Sequence, residues 1–556
     1  MTLRIVALIA LFLTTPSWAG EAQRPNILLL MAEDMSPRVG AFGDAVAVTP
    51  NLDRLASEGV RFSNVFTAAG VCAPSRAAQI TGMHPASIGA QHMRTSTRPA
   101  GGYKAVPPPV VKAYPELLRT AGYFTFTDHK LDYQFSWHNA GTGPHTIWDR
   151  EDSKELWAER NPDQPFFGLI NFLQTHESGV FPSLATRQLS GRFLQLQRFR
   201  AKHLDNPDDN EFVTPKQVEV PPYYPDVPTV RADIARHYNN IALMDRQVSA
   251  LLNRLEREGL ADNTIVIWTT DHGDGLPRAK RELFDSGIKV PMIIRWPERY
   301  RPAHLEPGQV DESMISFVDL APTILALAGV TAPTYLPGQN FLDPSLPSRQ
   351  YVFASRDRMD SVLDRQRAAR DQRYKYIRSW QPDQPGGHRL PFRDNLSMTQ
   401  TLWQMFEDGE LNSKQRRWFE PPGEEQLYDT HNDPFELNNL AASPTDRQTL
   451  ERMRAALAAW QQKNQDWSEQ SEAAMVAGFW PEGEQPTTAK PSFCWHKRKL
   501  TIHSKTDGTS LEYRINGDRW QIYGGAIRTA PGDHIEARAV RYGWRESEVA
   551  GFEVPR

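Results

Sequence analysis

Two short apolar runs, Asn26 to Met31 and Thr264 to Thr270, each end in a pair of ligating residues, Glu33-Asp34 and Asp271-His272. Such runs fit strands buried on both faces, the habit of parallel sheets covered by helices. Helix signals alternate with them. Thr49-Pro50-Asn51 opens a short helix with Leu52, Leu55 and Ala56 on one face and Gly59 as its stop, before a strand around Val60 to Val65. His237 to Glu258 reads as an amphipathic helix stopped by Gly259. Strands alternating with helices predict an α/β sheet. Ligands of open α/β sheets gather beyond the carboxyl ends of strands, so the two acidic endings are expected to converge on a metal ion.

At 556 residues the chain exceeds a single core, so at least two domains are expected. Residues 20–350 read as the main α/β domain, and within it Gly179 to Val230, polar and proline-rich with little periodicity, reads as a specificity-bearing insertion. Residues 351–480 read as a smaller α+β subdomain, with a β-like piece at Tyr374 to Ile377 and a charged helix near Thr449 to Lys463. A linker at 481–494 precedes strand-like runs in 495–556, which predict a small β-sandwich. Residues 1–19, with Arg4, the apolar stretch Ile5 to Leu13 and Ser17-Trp18-Ala19, carry the pattern of a secretory signal peptide and predict export to the periplasm or beyond. No other stretch is long and apolar enough for a membrane span. The net charge of -4 argues against a nucleic-acid partner. The two cysteines, Cys72 and Cys494, fall in different predicted domains, so no bridge is expected. Cys72 is left for chemistry, and Cys494, between Phe493 and Trp495, reads as a small buried hydrophobe.

The segment Cys72-Ala73-Pro74-Ser75-Arg76, followed by Thr81-Gly82, bears most directly on function. Pro74 fits the first turn of a helix, which puts residue 72 at a helix N-terminus, an end that attracts oxyanions. A buried cysteine in a turn is the structural alternative. The motif resembles the C-x-P-S-R…T-G signature of type I sulfatases. The resemblance extends from Asn26 to about Ala441, through Thr49-Pro50-Asn51-Leu52-Asp53 and Leu427-Tyr428-Asp429…Asp433-Pro434…Glu436…Asn439-Leu440. It implies an alkaline-phosphatase-like fold with a mixed, mostly parallel sheet. It also implies oxidation of Cys72 to formylglycine by a formylglycine-generating enzyme. Glu33, standing where most relatives have Asp, is matched to the metal-ligand set with Asp34, Asp271, His272 and residue 72, and the expected ion is Ca2+, which favours carboxylate oxygens. Arg76, Lys130 and Lys280 match the family's sulfate-neutralising cations, and His176, after the strand-like run Phe166 to Leu173, matches the histidine that protonates the leaving group. Asp132 stands where many relatives have histidine.

The segments Glu33 to Pro37, Ile88 to Arg94 and Asp274 to Lys280 resemble the bacterial branch near N-sulfoglucosamine sulfohydrolase, which implies a sulfated oligo- or polysaccharide, glycosaminoglycan or algal. His92, Arg94 and Arg278 are candidate contacts to its sugars or carboxylates. The tail resembles the chitobiase C-terminal-like sandwich, in which Trp520, Tyr523 and Trp544 would stack on sugar or pack the core. Two rival readings remain at this stage. One is a phosphatase or phosphodiesterase of the same fold, with Ser or Thr as nucleophile and paired metals. The other is a non-catalytic sulfated-sugar-binding protein in which residue 72 stays a cysteine.

Overall fold

The computed structural model describes residues 24–128, 130–136, 144–151, 154–182 and 191–556. The expected leader at 1–19 lies outside them. The central sheet contains β1 (Asn26–Ala32), β2 (Val60–Phe66), β3 (Phe124–Thr127), β4 (Phe166–Phe172), β5 (Thr264–Thr270), β6 (Lys289–Arg295), β7 (Val310–Asp311) and β8 (Ile315–Ser316). Its order is β3-β4-β1-β5-β6-β2-β7, with β8 also on β2. Only β6 runs antiparallel to its neighbours, so the sheet is mixed and mostly parallel.

Strand alternation divides the core between the two faces. Leu28 and Leu30 face helices α1 (Pro50–Glu58) and, later in the chain, the long α5 (Pro228–Arg257). Ile27, Leu29 and Met31 face α2 (Cys72–Thr81) and α3 (Tyr114–Thr120). The long helix begins at Pro228 rather than at His237. Proline is tolerated in a helix's first turn, where its missing N–H has no partner to lose, so the prolines before His237 do not mark a loop throughout. The stretch expected to lack regular structure also holds α4 (Gly191–His203), whose Arg200 donates to the carbonyls of Leu173 and Gln174. That helix is held by tertiary hydrogen bonds, which leave little apolar periodicity to read.

A second sheet, order β12-β11-β10-β9, joins β9 (Val352–Arg356), β10 (Gln366–Arg370), β11 (Tyr374–Ser379) and β12 (Glu425–Asp429), with the helix Arg447–Lys463 packed on it. The last two sheets, of three and four strands, share a core of Phe493, Trp495, Leu500, Ile535 and Phe552. Their first strand starts at Ser492, inside the segment expected to be linker. In that strand Phe493 and Trp495 point inward, so Cys494 points out and is exposed, which corrects its reading as a buried residue.

The C-terminal strands are fastened to the α/β domain through buried charge. Glu512 takes Arg119 at 2.9 Å, His145 at 2.8 Å and Arg538 at 2.7 Å. Tyr542 donates to Glu116 at 2.7 Å and stacks on Phe135, 5.1 Å between ring centroids. Burial opposes the Glu512 charge, but His145 and the two arginines bring its pKa to about 2. Glu512→Ala is expected to destabilise the chain by about 3 kcal/mol, the scale for stripping one partner from a buried ion pair. A melting temperature equal to that of the wild type would show that the contact carries no stability.

Candidate active site

Four strands that point toward one end of the sheet, β1, β2, β4 and β5, lead to polar side chains there. β1 runs into Glu33 and Asp34, β4 ends near Asn171 and leads to His176, and β5 runs into Asp271 and His272. β2 is followed by the loop that starts α2 at Cys72. Because β6 returns antiparallel, the connection 271–288 stays on this end and brings Lys280 and Arg281 over it. Asp34, Lys130 and Arg281 adopt left-handed backbone (φ 52, 73 and 78°), a costly conformation for non-glycine residues that gathers at functional sites. Gly273 is required for close approach: a Cβ there would lie 1.9 Å from Ser286 O.

Cys72 Sγ, fully buried, lies 3.3 Å from His272 Nε2 and 3.7 Å from Asp34 Oδ1. Arg76, one turn along α2, reaches Glu33 (2.9 Å), Asp271 (3.2 Å) and Asn171 (2.6 Å). Lys130 holds the other Glu33 oxygen at 2.7 Å. Lys280 holds Asp34 at 2.5 Å and approaches Glu177 at 3.4 Å, while Arg281 grips both Glu177 oxygens at 2.7 and 3.0 Å. The backbone N–H of Asp34 donates to Asp271 Oδ1 and that of Glu177 to Asp34 Oδ2. Two ligand groups, Glu33-Asp34-Cys72-His176 and Asp34-Cys72-Asp271-His272, each have their atoms within 4.8 Å of one another, as a metal centre needs.

Burial alone would keep these carboxyls neutral, but Lys280, His176 and His272 hold the Asp34 carboxyl well below its ordinary range. Arg281 and Lys280 lower Glu177 in the same way. Burial, followed by the field of Lys280, depresses His176 well below an ordinary histidine. His272 shows the opposite balance: Asp271, Asp34 and Cys72 overcome burial and raise it. A divalent cation among the same oxygens reverses that sign. Its Nδ1 lies 3.0 Å from Gly273 O, which leaves Nε2 facing the cluster.

The sequence matches the Sulfatase family over residues 25–330 and the N-sulphoglucosamine sulphohydrolase C-terminal family over 278–384. The chain belongs to the sulfatase family. An ulvan-active sulfatase of Formosa agariphila is 40% identical, the match covering 95% of this chain and 91% of the relative. Human N-sulphoglucosamine sulphohydrolase is 27% identical over 80% of this chain and 91% of its own. Among solved structures, a putative sulfatase from Bacteroides thetaiotaomicron shares the fold, with TM-score 0.56, 20% identity and coverage of 81% of this chain and 94% of that one. This sulfatase is a sulfuric ester hydrolase on an alkaline-phosphatase-like fold.

All nine residues matched to catalysis or metal binding fall in this cluster, at Glu33, Asp34, Cys72, Arg76, Lys130, His176, Asp271, His272 and Lys280. The three matched to substrate do not share its geometry. Arg94 lies on the rim, paired with Asp132 at 2.6 Å and close enough to Cys72 for the thiol to affect its ionisation. His92 is buried against the C-terminal region, its Nδ1 accepting from the Arg358 N–H at 3.3 Å. Arg278 is held as a structural tie and also lines a cavity of about 460 Å³. It donates to the carbonyls of Phe435 and Glu436 at 2.9 and 2.8 Å and lies 4.3 and 4.0 Å from the Tyr223 and Phe284 rings.

Sequence reasoning missed Glu177, Arg281 and Asn171. Asn171 closes a buried strand as the acidic pairs do, a signal that could have been used, whereas Glu177 and Arg281 are neighbours only in space. Glu177→Gln removes the anion that anchors Lys280 and Arg281, and activity on a small aryl sulfate should fall about 10- to 100-fold, the usual effect of losing a group that orients a charged site. Unchanged kcat and KM would show that neither cation depends on it.

Proposed function

We propose that this sulfatase is exported, carries formylglycine at residue 72 and calcium in the acidic cluster, and removes sulfate esters from a sulfated polysaccharide of the ulvan type. One observation carries the reading: Cys72 opens a buried helix amid three carboxylates, with Arg76, Lys130 and Lys280 pinned around them. The donor set suits calcium, since Glu33, Asp34 and Asp271 offer oxygens to a hard ion that takes six to eight. The substrate class is supported by the relative that aligns over nearly the whole chain.

The formylglycine hydrate supplies an oxygen nucleophile and calcium a Lewis acid. The chain supplies the rest. Arg76, Lys130 and Lys280 carry the positive charge that a sulfate monoanion needs for binding and for the charge developing during bond cleavage. Ser178 N–H donates to His176 Nδ1 at 3.3 Å, which places the neutral ring's proton on Nε2. Arrival of an anion beside Lys280 cancels part of the field depressing His176, so the ring gains basicity when a leaving oxygen must be protonated. Among the described residues the two ligand groups share Asp34 and Cys72 and form one site, which favours this chemistry over a paired-metal phosphatase.

Peptide mass spectrometry across residue 72, on protein from its own organism, should show loss of sulfur and gain of the aldehyde; plain cysteine there would overturn the proposal. Cys72→Ala should lose about 1000-fold or more in turnover, the scale of removing a nucleophile. Chelation by EGTA should lower both activity and melting temperature, and calcium but not magnesium should restore them.

A further inference from the structure

The turn from His388 to Asn395 borders the reactive centre, because the Phe392 ring lies 6.1 Å from the His176 ring. The next residue, Arg393, is only 1% exposed and lies 4.6 Å from the Trp418 ring. Its Nη2 donates to His388 O, but its Nε and Nη1 meet no acceptor among the described residues. Two carboxylates act on it and neither is hydrogen-bonded to those atoms: Glu282 accepts from Arg356 and from the Trp418 indole N–H, and Asp394 contributes its field. Two further arginines adjoin it. Arg281 Nε and Arg356 Nη2 are also without acceptors, as is the second ring nitrogen of His388, whose Nδ1 lies 2.8 Å from Pro385 O. Burial, then Arg281 and Arg356, brings the Arg393 pKa to about 9, so the environment resists the charge it holds. Trp418, against which the guanidinium lies, helps line a cavity of about 220 Å³ together with Glu282, Gly386, Lys414 and Arg417.

A buried guanidinium with unmade donors is costly unless an anion meets it. We propose that Arg393, with His388 beside it, forms a subsite for a second anionic group, a carboxylate or sulfate, on the sugar chain that carries the scissile sulfate. The subsite rests on the sulfatase reading above and narrows its substrate to polyanionic sugars.

The test compares three disaccharides bearing the scissile sulfate: one with a neighbouring uronate, its carboxyl-reduced form, and one with a second sulfate in place of the carboxylate. Wild-type enzyme should favour one of the two dianions over the reduced form by about 10- to 100-fold in kcat/KM, the scale of one charged hydrogen bond, and the preferred dianion identifies the group bound. Arg393→Met should erase that preference while melting no lower than wild type. Equal turnover of all three by the wild type, or a preference kept in Arg393→Met, overturns the subsite and leaves the sulfatase reading standing. Binding is read separately as the rise in melting temperature with each unhydrolysed disaccharide, so protein unmodified at residue 72 still answers. An equal rise with sodium chloride alone would make the group a halide site and overturn the proposal.

Discussion

The Asp34 carboxylate is the junction on which the rest depends. It receives the Glu177 N–H and the Lys280 ammonium on one oxygen and faces Cys72 and His272 with the other. Its own N–H donates to Asp271. One side chain thereby ties together the ends of β1 and β5, the turn after β4, the crossing connection 271–288 and the start of α2. A fully buried carboxylate survives there only because cations surround it, so the cations of the site serve stability and chemistry together.

The same logic organises the periphery. Glu177 anchors Lys280 and Arg281 directly, at 3.4 and 2.7 Å, and Glu512 and Glu116 fasten the C-terminal strands to the helix and loops beside Lys130. The C-terminal sandwich is therefore part of the catalytic body in this chain: Tyr542 stacks on Phe135, five residues from Lys130. Arg393 departs from the pattern, since its charge is buried with donors unmet. Such a departure is where a ligand is expected to complete the balance.

Much of the fold was legible in local signals. The strands at Asn26–Ala32 and Thr264–Thr270 follow from apolar runs that end in acid, and Pro50 and Gly59 bracket α1 as capping chemistry requires. Signals failed where tertiary contacts overrode them. The helix at Gly191–His203 is held by Arg200 on carbonyls of the site turn, and Cys494 faces solvent because strand alternation, rather than its neighbours' apolarity, sets its side.

By itself the sequence determined which residues stand at strand ends and helix starts, because periodicity, caps and a short motif are local. It thus assigned the α/β class, placed Cys72 at a helix start and named most of the charged groups around it. Only the tertiary structure decided which charges meet. Arg278 is tied to carbonyls and aromatic rings, Glu177 stands behind Lys280, and Arg393 is left with open donors beside the site. These are pairings across long stretches of chain, set by how the sheets and loops pack, and residue type and spacing carry no information about them.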